Sequence, residues 1–174
     1  MGIQIPDDSL LTNLLSGLIG SLVGAFIGAR STLKAAKISL DGLYKQEKEK
    51  RLFESRQQNL AVVHALIKEL KENLSIAQEL PNKSFKHVVM SREAWSIYKG
   101  NTSFLPQKLQ ADLPYTYTLI AEYNSILDYD KFSQVHGEGR NNDKIAGAAD
   151  KFKGNVGSII NKLEDVLREL SRKD

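Results

Sequence analysis

Residues Leu10 to Ala29 read LLTNLLSGLIGSLVGAFIGA and include no charged side chain. A twenty-residue helix, at about 1.5 Å per residue, spans about 30 Å, which matches the hydrocarbon thickness of a bilayer. We therefore expect a transmembrane helix over 10–29, preceded by a short N-terminal tail over 1–9. The alternative is the buried core helix of a soluble protein, which Asn13 and the glycines of the segment leave open.

The charges on the two sides of this apolar segment differ. All 24 Lys and Arg residues lie from Arg30 onward, and only Asp7 and Asp8 of the 21 acidic residues come before it. A secretory signal peptide begins with basic residues, and this N-terminus has none. Positive charge flanks the cytoplasmic end of a membrane helix. The pattern predicts an uncleaved single-pass anchor in the cell inner (plasma) membrane, with the N-terminus outside and the C-terminal domain in the cytoplasm.

Small residues recur on one side of the apolar segment, at intervals of four. Residues four apart share a helix face, and in lipid small residues let two helices approach closely. We call this set the small-residue face, and we expect it to associate membrane helices into a homo-oligomer. Its members are Gly17, Gly20, Ser21, Gly24, Ala25 and Gly28. Glycine is also simply common in membrane helices, which is the weaker interpretation.

The remainder of the chain has the periodicity of helices. Residues 30–52 predict a charged helical stalk, continuous with the membrane helix or jointed at Gly42, because pairs such as Glu47 and Arg51 support a solvated helix. Residues 53–174 predict a cytoplasmic helical bundle. Ser91 is the expected N-cap of a short helix that carries Trp95. Pro114 should kink or split the helix that follows.

Two stretches, about 53–79 and 144–171, carry apolar residues at alternating intervals of three and four, the pattern of a bundle seam. We expect these two helices to pack along each other. Gly147, Gly154 and Gly157 lie off the second seam, which indicates either close packing or a locally soft helix. The predicted seam comprises Leu60, Val63, Ile67, Leu70, Leu74, Phe152, Val156, Ile159, Leu163, Val166 and Leu170. No stretch alternates as a strand does. The predicted fold is all-α: an N-terminal transmembrane helix that continues into a long helix, followed by an antiparallel helical bundle.

The sequence carries no catalytic or metal-binding motif. It has no Cys, which excludes thiol catalysis and Cys-based zinc sites, and its three His residues form no close ligand pair. We therefore expect no enzymatic activity, no catalytic or metal-binding residue and no cofactor. The positive balance is modest and mixed in sign, which argues against a nucleic acid polymer as partner and fits anionic lipid headgroups.

Aromatic residues concentrate in the middle third of the chain, among several basic residues. They could form a pocket for a nucleotide, although core packing is the simpler interpretation. The candidate ligand region comprises Arg92, Trp95, Tyr98, Lys99 and Arg140.

A set of residues in the bundle resembles small, uncharacterised bacterial and phage membrane proteins with one membrane helix and a cytoplasmic helical domain. The set comprises the Leu66-to-Asn73 stretch, Ala94-Trp95, Leu105-Pro106, Leu109, Tyr117, Tyr123 and Asn124. The resemblance covers most of the chain in layout. It implies membrane attachment and a helical domain, and it implies no established activity.

Two functions fit these patterns. The first is a membrane-anchored, self-associating helical protein that acts as a scaffold, assembly or partner-binding subunit, with the lipid bilayer, copies of itself and a protein as its partners. The second is a ligand-gated, nucleotide-sensing membrane effector of a bacterial antiphage system, which would perturb the membrane.

Overall fold

The computed structural model describes residues 8–80, 88–136 and 142–172, and every regular element within those ranges is helical. The predicted all-α fold, with a long N-terminal helix followed by further helices, is confirmed. The helices are α1 (Asp8–Glu79), α2 (Glu93–Tyr98), α3 (Gln107–Val135) and α4 (Asn142–Ser171), with a 3₁₀ turn at Lys99–Asn101.

α1 is continuous through Gly42. The glycine does not end it, because the flanking residues favour a helix and no proline occurs between Pro6 and Pro81. In its charged part, Arg51 donates a hydrogen bond of 2.5 Å to Glu47, one helical turn earlier. The joint at Gly42 that the sequence left open is therefore absent.

The chain divides into two compact units, Met1–Phe53 and Glu54–Asp174, which we call unit 1 and unit 2. α1 contributes to both. Unit 2 begins one residue after the start predicted for the bundle domain. It holds the hydrophobic core, in which side chains of α1, α3 and α4 are buried together with Met90 and Leu105 from the connection between α1 and α3.

In unit 2, α4 runs antiparallel to α3. Lys162 Nζ lies 2.8 Å from Asp112 Oδ2 near the start of α3, and Lys151 Nζ lies 3.3 Å from Glu122 Oε1 further along. Between these two ion pairs, Thr116 donates a hydrogen bond of 2.8 Å to Asn155. Residues that come later in α3 pair with residues that come earlier in α4, so the two helices run in opposite directions.

α4 also runs antiparallel to α1 within unit 2. Arg56 Nε donates to the Leu170 carbonyl at 2.6 Å, and Lys71 Nζ lies 2.7 Å from Glu164 Oε1. Since α4 opposes both of its neighbours, α1 and α3 run in the same direction. The predicted antiparallel arrangement thus holds for the two helix pairs that include α4.

Two parallel helices need a connection that returns along their length. Residues 88–98, which we call the return segment, supply it. Val88 and Met90, at the start of this segment, form hydrogen bonds with Tyr123 and Asn124 of α3. Trp95, seven residues after Val88, stacks on Tyr117, which lies earlier in α3. The return segment therefore runs antiparallel to α1 and α3 and lies between them.

Pro114 does not split α3, which is one helix from Gln107 to Val135. Proline removes one backbone hydrogen bond to the carbonyl four residues earlier, here that of Gln110. Both Pro114 and Gln110 are exposed. Water can therefore replace the lost donor, and the helix continues.

Candidate functional site

The apolar part of unit 1 is exposed on all sides. α1 includes a stretch long and apolar enough to cross a membrane, and none of that stretch is buried within the chain. Its large apolar side chains, from Leu14 to Ile27, are 52–69% exposed. A helix that is apolar all round and has no protein around it has the surface that a lipid environment requires.

The small-residue face lies within this exposed stretch and meets no other part of the chain among the residues that the structure describes. A Cβ atom placed on Gly17, Gly20, Gly24 or Gly28 would meet no heavy atom within 4 Å. Ser21 donates its hydroxyl hydrogen to the Leu18 carbonyl at 2.9 Å. The Ser21 hydroxyl thus has its hydrogen-bond partner within α1. No large side chain projects from the small-residue face.

The main polar centre of unit 2 is the carboxylate of Glu69, a residue that is only 5% exposed. Its Oε1 accepts a hydrogen bond from the Tyr117 hydroxyl at 2.8 Å and one from the backbone N–H of Trp95 at 3.3 Å. Its Oε2 accepts from the Ser91 hydroxyl and the Ala94 N–H, both at 2.8 Å. Four donors occupy the roughly four acceptor sites of a carboxylate.

Glu69 supplies the N-terminal cap of α2 from a different helix. The N-cap residue is Arg92, not Ser91 as expected, and Arg92 makes no side-chain capping bond. The free N–H groups of Ala94 and Trp95 in the first turn need acceptors, and Glu69 provides them. The negative charge also interacts favourably with that end of the helix.

Two asparagines hold the return segment from opposite sides. The side chain of Asn73 accepts from the Ser91 N–H and donates to the Ser91 carbonyl, both at 2.8 Å. Asn124 makes the same pair of bonds with the backbone of Met90, both at 2.9 Å. Each side-chain amide thus forms two hydrogen bonds with the backbone of one residue, as a neighbouring β-strand would. The return segment is therefore hydrogen-bonded to both α1 and α3.

Aromatic side chains complete this centre. The Trp95 and Tyr117 rings stack with centroids 4.8 Å apart and an angle of 7° between their planes. Burial raises the pKa of the Tyr117 phenol, and its hydrogen bond to Glu69 raises it further, so the phenol stays protonated and acts as the donor. Burial likewise raises the pKa of Tyr123, whose hydroxyl donates to the Val88 carbonyl at 3.1 Å.

The structure separates the members of the predicted ligand region. Trp95 and Tyr98 are half-buried against the core, whereas Arg92 and Lys99 are exposed. Arg140 lies outside the described residues. Among the residues that the structure describes, the groove beside Tyr98 is lined by the carboxylates of Glu69, Glu72 and Glu93 and by the ammonium group of Lys68. This balance repels anions.

Every residue of the predicted seam except Leu60 lies in the core or against it. Val63, Ile67, Leu70, Phe152, Val156, Ile159, Leu163 and Val166 are buried, and Leu74 and Leu170 are partly buried against the core. Leu60 is half-buried. On α1 the buried face is wider than the seam, because Val62 and Leu66 are buried as well.

Sequence reasoning missed Glu69 and Asn73 as buried groups. Both lie on the helix face that carries buried apolar residues such as Leu66 and Leu70. Two polar residues in an otherwise apolar face are the signal that could have revealed them. Among the residues that the structure describes, no group of three or more His, Asp or Glu side chains could hold a metal ion.

Ala94, Trp95, Tyr117 and Asn124 all form hydrogen bonds at or beside this polar centre. No protein-family model, curated protein or solved structure matches this chain.

Proposed function

We propose that this chain is a membrane-anchored helical protein that associates with copies of itself and acts as a scaffold, assembly or partner-binding subunit. The single observation that carries the proposal is the small-residue face, which lies exposed on an apolar, membrane-length stretch and has no contact with the other described parts of the chain.

The glycines of this face are costly to the helix that contains them. Each glycine in a helix interior costs about 1 kcal/mol relative to alanine in water, and Gly20, Gly24 and Gly28 gain nothing within the chain because open space surrounds them. Close approach of a second membrane helix would give these positions a role, since van der Waals packing drives helix association in lipid.

The proposed location is the inner membrane, with the N-terminus outside and unit 2 in the cytoplasm. The support is the distribution of charge, because every basic residue lies from Arg30 onward. We expect protease added to inside-out membrane vesicles to digest unit 2. Protection of unit 2 would contradict this orientation.

The features of unit 2 support a binding or assembly role more than the sensing of a small anion. The buried carboxylate of Glu69 has its acceptor sites occupied by four donors from the chain. The groove beside Tyr98 carries more carboxylates than cations, which disfavours a nucleotide. These features support the scaffold function over the nucleotide-sensing effector.

The test is the mass of the full-length protein after extraction into a neutral detergent, measured by light scattering. We expect an oligomer for the unmodified chain and a smaller species for Gly20→Leu/Gly24→Leu. The matched control is Gly42→Leu, which adds the same side chain at another exposed glycine of α1 with equally open surroundings. We expect it to keep the full mass.

Membrane attachment is measured in the same preparations as the fraction of protein that stays in membranes after alkaline carbonate washing. All three proteins should remain there, because none of the substitutions adds a charge to the apolar segment over 10–29. An unmodified chain that is monomeric, or that washes off the membrane, would contradict the proposal. An unchanged mass for the double variant would remove the small-residue face as the association surface.

A further inference from the structure

Three cations follow the apolar stretch of unit 1 and share one side of α1. Arg30, Lys34 and Lys37 lie at successive intervals of four and three. At about 100° per residue they fall within about 60° of one another around the helix. They span about 10 Å along the axis at about 1.5 Å per residue, so they begin within the headgroup layer, which is about 5–8 Å deep on each side of a bilayer.

These cations have no ion-pair or hydrogen-bond partner in the part of the chain that the structure describes. The contrast with the next charged stretch is clear, because there Arg51 is neutralised by Glu47 at 2.5 Å. Asp41 follows Lys37 by one turn and ends the run of positive charge. The three charges are therefore available to an external anion.

Apolar surface adjoins the cations on the same side of the helix. A groove of unit 1 is lined by Phe26, Ile27, Arg30, Ser31 and Lys34, so that two large apolar side chains and two cations share one surface. Phe26 and Ile27 belong to the exposed apolar stretch. A ligand that fits this groove needs an anionic group and an apolar portion next to it.

The groove is also turned away from the small-residue face. The centre of that face lies roughly 140° around the helix from the centre of the three cations. When small-residue faces of two copies pack together, the groove remains directed toward lipid. The two surfaces can therefore be occupied at the same time.

We propose that Arg30, Lys34 and Lys37 bind the headgroup of an anionic phospholipid, whose acyl chains contact Phe26 and Ile27. This inference rests on the proposed membrane anchoring. The headgroup layer of a bilayer begins where the apolar stretch ends, and basic residues near a membrane surface attract anionic lipids. The bound lipid holds α1 at a defined depth in the membrane.

The test uses the full-length protein in neutral detergent and counts bound lipids by native mass spectrometry. Phosphatidylglycerol, which is anionic, and phosphatidylcholine, which is zwitterionic, are added at equal concentration. We expect adducts of phosphatidylglycerol to exceed those of phosphatidylcholine by about tenfold. In Arg30→Gln/Lys34→Gln/Lys37→Gln the ratio should fall to about one.

The matched control is Lys45→Gln/Lys48→Gln/Lys50→Gln, which removes three positive charges further from the apolar stretch. We expect it to retain the preference to within about twofold, because headgroups held at the apolar stretch lie more than about 10 Å away. All substituted residues are exposed, and circular dichroism verifies that the helices persist. An equal loss in the control would show a general charge effect and overturn the site.

Glycerol phosphate, which carries the anionic group without acyl chains, distinguishes a lipid from a free phosphate. An excess of it should leave the phosphatidylglycerol adducts in place, and displacement would overturn the assignment to lipid. Equal adducts of both lipids on a protein that still resists carbonate washing would remove this inference alone. A protein that washes off the membrane would contradict the proposed function first.

Discussion

At the scale of single residues, the least expected feature is a carboxylate at the centre of the bundle. Glu69 is almost fully buried and accepts hydrogen bonds from two side chains and two backbone N–H groups. Burial of an ionised group is costly unless hydrogen bonds compensate it. Here the compensation comes from the return segment and α3, so the carboxylate links three parts of unit 2.

We expect Glu69→Gln to lower the free energy of unfolding by about 1–3 kcal/mol. The substitution replaces one carboxylate oxygen with an NH₂ group, so the donors that bond to that oxygen lose their acceptor. The measurement is urea unfolding of the full-length protein in neutral detergent, followed by fluorescence of Trp95. Trp95 is the only tryptophan in the sequence, and it stacks beside the substituted site.

The control for that variant is Glu72→Gln, the same change one turn later on α1, where the side chain is 59% exposed and lies 4.0 Å from Lys68. We expect the free energy of unfolding to change by less than about 0.5 kcal/mol, because exposed ion pairs contribute little to stability. Equal effects at the two positions would mean that the buried hydrogen bonds of Glu69 do not stabilise unit 2.

At the scale of elements, the glycines of α4 show how structure resolves a sequence alternative. The spacing left open whether Gly147, Gly154 and Gly157 allow close packing or soften the helix. A Cβ atom at any of them would meet nothing within 4 Å. No described residue of this chain packs closely on these glycines, so within the chain they are three helix positions of low helix propensity.

We expect Gly154→Ala to raise the free energy of unfolding by about 0.5–1 kcal/mol, because alanine reduces the backbone entropy of the unfolded chain and fits the open space. The reverse change in the same helix, Ala146→Gly, should lower it by a similar amount. Urea unfolding measures both. Destabilisation by Gly154→Ala would mean that a neighbour in the native assembly occupies that space.

At the scale of the whole molecule, the chain combines two units with different needs. Unit 1 exposes its apolar side chains, whereas unit 2 buries a core formed within its own residues, beginning at Val62. The proposed association surface and the proposed lipid site both belong to unit 1. All described residues of the hydrophobic core lie in unit 2.

We therefore expect a chain of residues 54–174 alone to be water-soluble and monomeric, with an unfolding transition by Trp95 fluorescence close to that of the full-length protein. Light scattering and urea unfolding provide the measurements. An oligomer of this shortened chain would relocate self-association to unit 2, and an aggregate would mean that the core requires unit 1.

Much of this architecture could be predicted from the sequence, because the relevant signals are local. An uncharged run of membrane length, a row of small residues at intervals of four and the seam from Phe152 to Val166 each lie within one stretch of chain. Helices satisfy their own backbone hydrogen bonds, so their existence depends on neighbouring residues. The same locality made Arg30, Lys34 and Lys37 visible beside the apolar run.

The polar centre was decided only by tertiary structure. Asn73, Asn124 and Glu69 acquire their roles when α1 and α3 run in the same direction and the return segment passes between them. Their partners lie 18 to 48 residues away in sequence, and no periodic pattern specifies such pairs. The sequence by itself therefore determined the helices and the exposed apolar surface of unit 1. Only long-range packing determined which polar side chains are buried and what they bind, because a buried polar group must find its partner in space.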